Sequence, residues 1–300
     1  MAFNYRDFIH PDDESARKKL ESVAGFEAVT KWVMDLGVEK YCHFVFMSDS
    51  IRLSPDQLPD IYGLLPPICH RFGIPEPEFY LQMHPSPNAE TYGDKKTFLV
   101  ITSGLLDHIS DTKELQSILA HECGHIICRH VFYRTMAQLL FSFGNMLPIP
   151  GVILSQIQKP FALAMNYWSR KCELSADRAS AVYCGSYEIP AKALLRLTGG
   201  PARFTGTVNL GAFAAQAEEC DDFENDGKWQ KILGAYAVMD RDHPFSSSRI
   251  RELMKWGTSE SCRKLTAALE RGQIGQVCPN CGNTIEQGHK FCRYCGHKIN

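Results

Sequence analysis

The stretch that decides the fold is His121-Glu-Cys-Gly-His125, which lies inside a longer helical pattern. Apolar residues recur at helical spacing over residues 111–136 and predict one long amphipathic helix there. Asp111 and Glu114 have the spacing of a capping box at its start. Because His121 and His125 are four residues apart, they lie on one face of the helix, and both imidazoles can reach the same metal ion.

This spacing is typical of a catalytic zinc site. Zinc hydrolases use three protein ligands and leave one position open for a water molecule, whose pKa the metal lowers. Glu122 is predicted to be the general base that takes a proton from this water and later passes it to the leaving amine. His130, beyond the motif, is predicted to point off the ligand face, with a structural role or in contact with solvent. The same string also occurs on exposed helices that bind no metal, so the prediction depends on a third ligand.

A second helical pattern, over residues 160–183, supplies that ligand. Glu173 and Asp177 are four residues apart and therefore share a helix face. We predict that Glu173 completes the metal site. Asp177 is predicted to accept the other ring proton of a ligand histidine, which fixes the histidine tautomer. The alternative is an ordinary helix surface, with the two carboxylates and Arg178 forming a salt bridge.

The other elements predict an α+β fold that is mostly α-helical. Helical periodicity fills an N-terminal helical segment, residues 1–74, and its third helix is expected to end near Pro66 and Pro67. Aromatic and β-branched residues predict two strands of a small sheet, at 78–83 and 97–102. The pattern further along predicts a helix at 190–197, a loop around a short helix at 199–227, and a last helix at 250–269.

The C-terminal cysteines form two C-x-x-C pairs, Cys278 with Cys281 and Cys292 with Cys295. Two such pairs predict a structural four-cysteine zinc ribbon over residues 278–300, joined by a linker at 271–277. The metal would supply folding free energy that so short a segment cannot obtain from a core. We therefore predict two Zn²⁺ ions, one catalytic and one structural, and consider a protein partner at the ribbon.

The composition of the chain bears on its partners, its location and its contact with membranes. Hydrophobic residues make up 44% of the chain and charged residues 22%, and the net charge is −2. These totals do not indicate a basic surface, so a nucleic-acid partner is not expected. Scattered cysteines and the lack of a basic and apolar leader predict a cytoplasmic location. Polar residues and Pro148-Ile-Pro-Gly151 interrupt the apolar stretch 136–157, which predicts a buried or amphipathic hairpin. Peripheral contact with a membrane surface, or a true span, is the alternative.

Four local motifs resemble those of the gluzincin peptidases that include the CAAX prenyl endopeptidase and the HtpX heat-shock protease. Together they cover about residues 75–255, in the order of that family. The resemblance implies a zincin-like zinc metallopeptidase domain over residues 75–270 that acts on protein or peptide substrates. The motifs are Asn88-Ala followed by Thr97-Phe-Leu-Val-Ile-Thr-Ser-Gly-Leu-Leu106, then His121-Glu-Cys-Gly-His125, then the Glu173 to Arg178 helix, and last His243-Pro-Phe-Ser-Ser-Ser-Arg249-Ile250.

The resemblance also implies how substrate binds. The strand at 97–102, with Asn88 beside it, would be the sheet edge that pairs with an extended substrate by strand addition. This makes Asn88, Thr97 and Leu99 candidate substrate-binding residues. The best-known members of the family are integral membrane proteins with clear spans. This chain has no clear span, so it resembles the soluble or peripheral members.

His243 and Arg249 would lie near the zinc, where the resemblance implies catalytic roles in stabilising the oxyanion of the tetrahedral intermediate or, for His243, in approaching the open position of the metal. A helix cap and a structural salt bridge are the alternatives for these two residues. The predicted function is a zinc-dependent metalloendopeptidase that uses Glu122 as its base. The main alternative is a zinc scaffold or adaptor that recruits partners through the ribbon with little turnover. A zinc-ribbon nucleic-acid protein would leave Glu173 and Asp177 unexplained.

Overall fold

The computed structural model places most of the chain but not every predicted site residue. His243, the four ribbon cysteines and residues 144–150 of the apolar stretch lie outside the described residues. The structure describes residues 5–23, 25–27, 30–31, 37–143, 151–227, 245–272, 276–277, 284–285, 290–291 and 297–298.

The described elements are mainly helices around one small sheet, as the α+β prediction requires. The helices are α1 (Pro11–Glu21), α2 (Val38–Asp49), α3 (Pro59–Tyr62), α4 (Leu65–Phe72), α5 (Ser103–His108), α6 (Thr112–Ile127), α7 (His130–Phe143), α8 (Gly151–Cys184), α9 (Glu188–Gly199), α10 (Ala202–Thr205), α11 (Leu210–Asn225), α12 (Ser246–Gly257) and α13 (Glu260–Glu270). The strands are β1 (Ile51–Arg52), β2 (Glu78–Gln82), β3 (Ala89–Gly93), β4 (Thr97–Thr102), β5 (Gln276–Val277) and β6 (Thr284–Ile285).

The main sheet has the strand order β1-β2-β4-β3, in which β2 and β4 are parallel and the other pairs antiparallel. Leu99 of β4 pairs with Phe79 on one side and with Thr91 on the other. The prediction that residues 97–102 form the edge is therefore wrong, because β4 is hydrogen-bonded to a strand on each side. The strand beyond β4 is β3, which the sequence pattern did not predict.

The predicted single helix over 111–136 is two helices. Arg129 adopts a left-handed backbone conformation with φ of 62°, so α6 ends at Ile127 and α7 begins at His130. The capping box is only half formed. Asp111 accepts hydrogen bonds from the first backbone N–H groups of α6, whereas the carboxylate of Glu114 forms a buried ion pair with Arg196 at 3.0 Å.

Four other predicted helix or loop boundaries differ from the structure. Pro66 and Pro67 begin α4 instead of ending a helix, because proline fits the first helical turn. The predicted loop over 199–227 contains α10 and the 16-residue α11. The predicted helix at 250–269 is divided into α12 and α13, since Ser259 caps a new helix there. Helix α8 begins at Gly151 and continues through position 160.

Close packing of α6 against α8 brings the two halves of the predicted metal site together. A Cβ added at Gly124 would lie 2.8 Å from the Cβ of Ala179 and 3.1 Å from the Cα of Ala176. Such distances are too short for any side chain, so the glycine within the motif lets α8 approach α6. The hydroxyl of Ser180 also donates to the carbonyl of Ser117 at 2.6 Å, which joins the same two helices.

The N-terminal segment packs directly on this framework. Ala16 and Leu20 of α1 are fully buried in a cluster with Met136 of α7 and with Trp168 and Cys172 of α8. Among the described residues, no helix combines the length and the apolar character needed to cross a membrane.

Candidate metal centre

Three potential ligands converge where α6 meets α8. The Nε2 atoms of His121 and His125 are 3.2 Å apart. The Glu173 carboxylate lies 3.3 Å from each, through Oε2 to His121 and through Oε1 to His125. Two ligand atoms bound at about 2.0–2.1 Å to a tetrahedral zinc are about 3.3 Å apart. Two imidazole nitrogens and one carboxylate at this spacing are therefore a donor set that fits zinc.

A buried network of charge supports these ligands from behind. Asp177 Oδ1 lies 3.0 Å from His121 Nδ1, the position in which it can accept the ring proton and leave Nε2 for a metal. Arg249 donates to both oxygens of Asp177 at 2.9 and 2.6 Å, and its Nη1 lies 3.1 Å from Glu173 Oε2. Arg249 is thus held by the two carboxylates, as in the structural salt bridge that was the alternative to an oxyanion role.

The two ligand histidines differ in charge as a result. Burial opposes the charged form of His121, but hydrogen bonds to Asp177 and Glu173 outweigh it and raise the pKa of His121 to about 9. Burial, with the Arg134 guanidinium beside the ring, holds the pKa of His125 well below its usual value. Without metal, His121 is therefore a positively charged imidazolium at neutral pH, whereas His125 is neutral.

Glu122 is buried beside the two motif histidines. Its carboxylate is 4% exposed and has an oxygen within 4.8 Å of a ring nitrogen of each motif histidine. Burial raises its pKa, although His121 and Arg134 oppose this. Thr91 Oγ1 of β3 donates a hydrogen bond to Glu122 Oε2 at 3.2 Å. A carboxyl with a raised pKa suits proton transfer near neutral pH.

Sequence reasoning missed two residues of the centre. Thr91 lies on the strand that was not predicted. Arg134, on α7, places Nη1 3.0 Å from His125 Nε2 and 3.3 Å from Glu173 Oε1. Only the break between α6 and α7 could have suggested that α7 turns back toward the ligands, and no sequence pattern marks it.

A cavity of about 250 Å³ opens beside the ligands. Asn88 lines it, and its side-chain amide donates to Glu90 at 2.8 Å. Thr97 and Leu99 lie one strand further from this opening, on β4, and Leu99 is fully buried in the core. The apolar residues of the lining are Pro87, Ala89, Ile118, Pro190, Ala193, Leu194 and Leu197.

The sequence is similar to those of known metallopeptidases. The sequence profile of peptidase family M48 matches residues 60–257, and that of a zinc-ribbon domain matches residues 277–299. The chain is 28% identical over 267 residues to the plastoglobule-localized metallopeptidase 48, chloroplastic, of Arabidopsis thaliana, with 88% of this chain and 76% of that protein covered.

Two relatives are named proteases. The chain is 28% identical to protease HtpX homolog 2 of Methanosarcina mazei, covering 51% of this chain and 60% of the relative. It is 29% identical to protease HtpX of Legionella pneumophila, covering 46% and 57%. The matches thus span less than two thirds of these two relatives.

Among solved structures, the crystal structure of S. mikatae Ste24p is similar, with a TM-score of 0.45 and 16% identity over 82% of this chain and 60% of that one. The family profile, however, matches well over half of the chain. The chain therefore belongs to peptidase family M48, as a zinc metallopeptidase with a C-terminal zinc-ribbon domain.

Proposed function

We propose that this chain is a metalloendopeptidase in which His121, His125 and Glu173 hold the catalytic zinc and Glu122 is the general base. The observation that carries the proposal is the convergence of the donor atoms: the two Nε2 atoms are 3.2 Å apart, and each lies 3.3 Å from one oxygen of the Glu173 carboxylate. A tetrahedral zinc requires about this spacing. The four cysteines of the zinc-ribbon domain hold a second, structural zinc in the same proposal.

In this proposal, each residue of the site has a separate role in peptide hydrolysis. A bound zinc supplies Lewis acidity, which makes a water molecule more acidic and polarises the substrate carbonyl. Glu122 takes the proton of the attacking water and delivers it to the leaving amine. Thr91 holds the Glu122 carboxylate through its hydrogen bond. Asp177 fixes the tautomer of His121, and Arg249 fixes Asp177.

Substrate recognition follows from β3 and the cavity. In the part of the chain that the structure describes, β4 is the one strand paired with β3, so the other side of β3 is proposed to pair with an extended peptide. Asn88 lines the cavity just before this strand, which supports its proposed contact with the substrate backbone. The apolar lining, which includes Ala193 and Leu194, supports a preference for an apolar side chain next to the scissile bond.

The partner and location predictions stay predictions. These are a protein partner at the ribbon, a cytoplasmic location, and contact of residues 136–157 with a membrane surface. At the start of that stretch, Met136 is 0% and Leu139 7% exposed, within a core cluster. Their burial supports the buried form of the predicted hairpin at this end.

The proposal is tested by casein cleavage with the full-length chain. Wild type should cleave casein, and a chelator should abolish the cleavage. Glu122→Gln should keep two zinc ions per chain and lose activity by about 10²–10⁴-fold, the contribution of a positioned general base. Glu260→Gln, at a carboxylate whose side chain is 70% exposed, is the matched control and should behave like wild type.

Equal cleavage by Glu122→Gln and wild type, with zinc bound in both, would overturn the role of the base. A zinc-loaded wild type that cleaves no protein or peptide would instead favour the adaptor function.

A further inference from the structure

A buried chain of hydrogen bonds leads from His125 away from the metal centre to the N-terminal helix. His125 Nδ1 is 3.0 Å from His130 Nδ1, and His130 Nε2 is 3.0 Å from Asp13 Oδ2. The three residues are at most 2% exposed. The match to the peptidase family begins at residue 60, so Asp13 lies outside the part of the chain that the family accounts for.

The break between α6 and α7 creates the first of these contacts. In a continuous helix, side chains five residues apart differ in direction by about 140° and do not meet. Arg129 instead takes a left-handed conformation, and α7 starts at His130 in a new direction. The ring of His130 thereby returns to the far side of the His125 ring. Of the two roles predicted for His130, its burial agrees with the structural one and not with contact with solvent.

Asp13 is held firmly at the other end of the chain. Its Oδ2 also accepts a hydrogen bond from Ser175 Oγ at 2.6 Å, and its Oδ1 accepts one from Trp168 Nε1 at 3.1 Å. Burial raises the pKa of Asp13, but the contacts with His130 and Ser175 outweigh it, so the pKa stays below its usual value. The carboxylate is therefore ionised at neutral pH and can only accept hydrogen bonds.

An acceptor at Asp13 fixes the position of each proton along the chain. When the His130 ring is neutral, it carries its proton on Nε2 to donate to Asp13, which leaves its Nδ1 as an acceptor. His125 then donates from Nδ1. Its Nε2 carries no proton, so it can accept the hydrogen bond from Arg134 Nη1 at 3.0 Å, and it faces Glu173 and His121. This is the only neutral tautomer in which His125 Nε2 can bind a metal.

We propose that Asp13 is a positioning residue of the metal centre, which acts through His130 to hold His125 in its metal-binding tautomer and orientation. The inference rests on the proposed function, because it takes His125 as a ligand. It makes the N-terminal helix α1 a working part of the catalytic centre. Trp168 and Ser175, which contact Asp13, lie on a different face of α8 from the proposed ligand Glu173. Helix α8 therefore connects the hydrogen bonds around Asp13 with the metal centre.

The variant Asp13→Asn separates this role from simple packing. Trp168 Nε1 can only donate, so the new amide must turn its oxygen toward Trp168 and its NH2 group toward His130. His130 then has to accept at Nε2 and carry its proton on Nδ1. That proton faces the Nδ1 proton of a metal-bound His125, whereas metal-free His125 can move its proton to Nε2. The substitution therefore opposes the metal-bound form specifically.

The experiment measures zinc affinity at the catalytic site by competition with a chromophoric chelator, in the full-length chain with the ribbon zinc retained. Asp13→Asn should weaken zinc binding by about 10–100-fold, as loss of a partner behind a ligand histidine does. The melting temperature of the protein without catalytic zinc should fall as well, because the lowered pKa of Asp13 means that its carboxylate stabilises the fold, so stability and zinc affinity are measured separately. Asp12→Asn, at the neighbouring carboxylate that pairs with Lys171, should bind zinc about as wild type does.

The results distinguish the possible failures. Equal zinc affinities for Asp13→Asn and Asp12→Asn, with only the melting temperature lowered, would show that Asp13 merely packs and would overturn the proposal. A wild-type protein that binds zinc only at the ribbon would overturn the proposed ligand set, and Asp13 would lose its role with it. A tenfold or larger loss confined to Asp13→Asn would support the proposal.

Discussion

Replacing Arg249 by methionine removes a cation that contacts two buried carboxylates of the site, the proposed ligand Glu173 and Asp177 behind His121. Its guanidinium lies 2.6 Å from Asp177 and 3.1 Å from Glu173, and the side chains of all three residues are at most 8% exposed. Methionine fills similar volume without charge, so the main change is electrostatic. Asp177 would keep only His121 among these ion-pair contacts.

The expected cost follows from this burial. Breaking a buried ion pair by removing one partner destabilises a protein by about 3–5 kcal/mol, because the remaining charge stays buried. A surface pair contributes only about 0–1 kcal/mol. At about 2 °C per kcal/mol for a domain of this size, Arg249→Met should lower the melting temperature by about 6–10 °C.

The assay is urea and thermal unfolding of the full-length chain, followed by circular dichroism. The matched control is Arg251→Met on the same helix, since Arg251 pairs at 2.6 Å with Asp221, whose side chain is 53% exposed. The control should lose at most about 1 kcal/mol. The reasoning is refuted if Arg249→Met is no less stable than Arg251→Met.

Three further predictions address the protons and the cavity. Because the pKa of His121 is raised to about 9, zinc binding at pH 7 to a ribbon-loaded chain should release about one proton, and calorimetric heats that do not depend on the buffer would contradict this. The pKa of Asp177 is lowered by Arg249 and His121 in spite of burial, so its contribution to stability is complete above its unfolded pKa of about 3.9 and is lost as the pH falls through the lower folded value. Asp177→Asn should therefore show a shallower loss of stability than wild type in acid denaturation, and an equal slope would argue against the ion pair. Leu197 is exposed and lines the cavity, so Leu197→Glu should reduce kcat/KM by about tenfold for peptides with an apolar side chain at the scissile bond. The zinc content should not change. An unchanged kcat/KM would show that Leu197 does not contact the substrate.

The helical spacings carried most of the site prediction. Four-residue separations put His121 with His125, and Glu173 with Asp177, on shared faces whatever the rest of the fold does. These rules are local, so they survived the misplaced helix ends. The zinc-ribbon prediction depended on the spacing of four cysteines and agrees with the matched zinc-ribbon profile.

Contacts between distant parts of the chain could not be predicted in this way. In the sheet, β4 and not β3 pairs with β2. The residue pattern of an individual strand does not determine its neighbour, so this order could not be predicted. The left-handed residue that ends α6 is an arginine, and nothing in its residue type predicts a helix break. Asp13 and His130 are 117 residues apart, so their contact follows only from the packing of α1 on the framework.

Zinc-edge anomalous diffraction from crystals of the zinc-loaded chain would test the central claim most directly. The account predicts one anomalous peak about 2.0–2.1 Å from Nε2 of His121, Nε2 of His125 and a carboxylate oxygen of Glu173, in addition to the ribbon zinc. His125, His130 and Cys172 also lie close enough to hold a metal. A peak among those three residues, or none beside His121 and Glu173, would contradict the account.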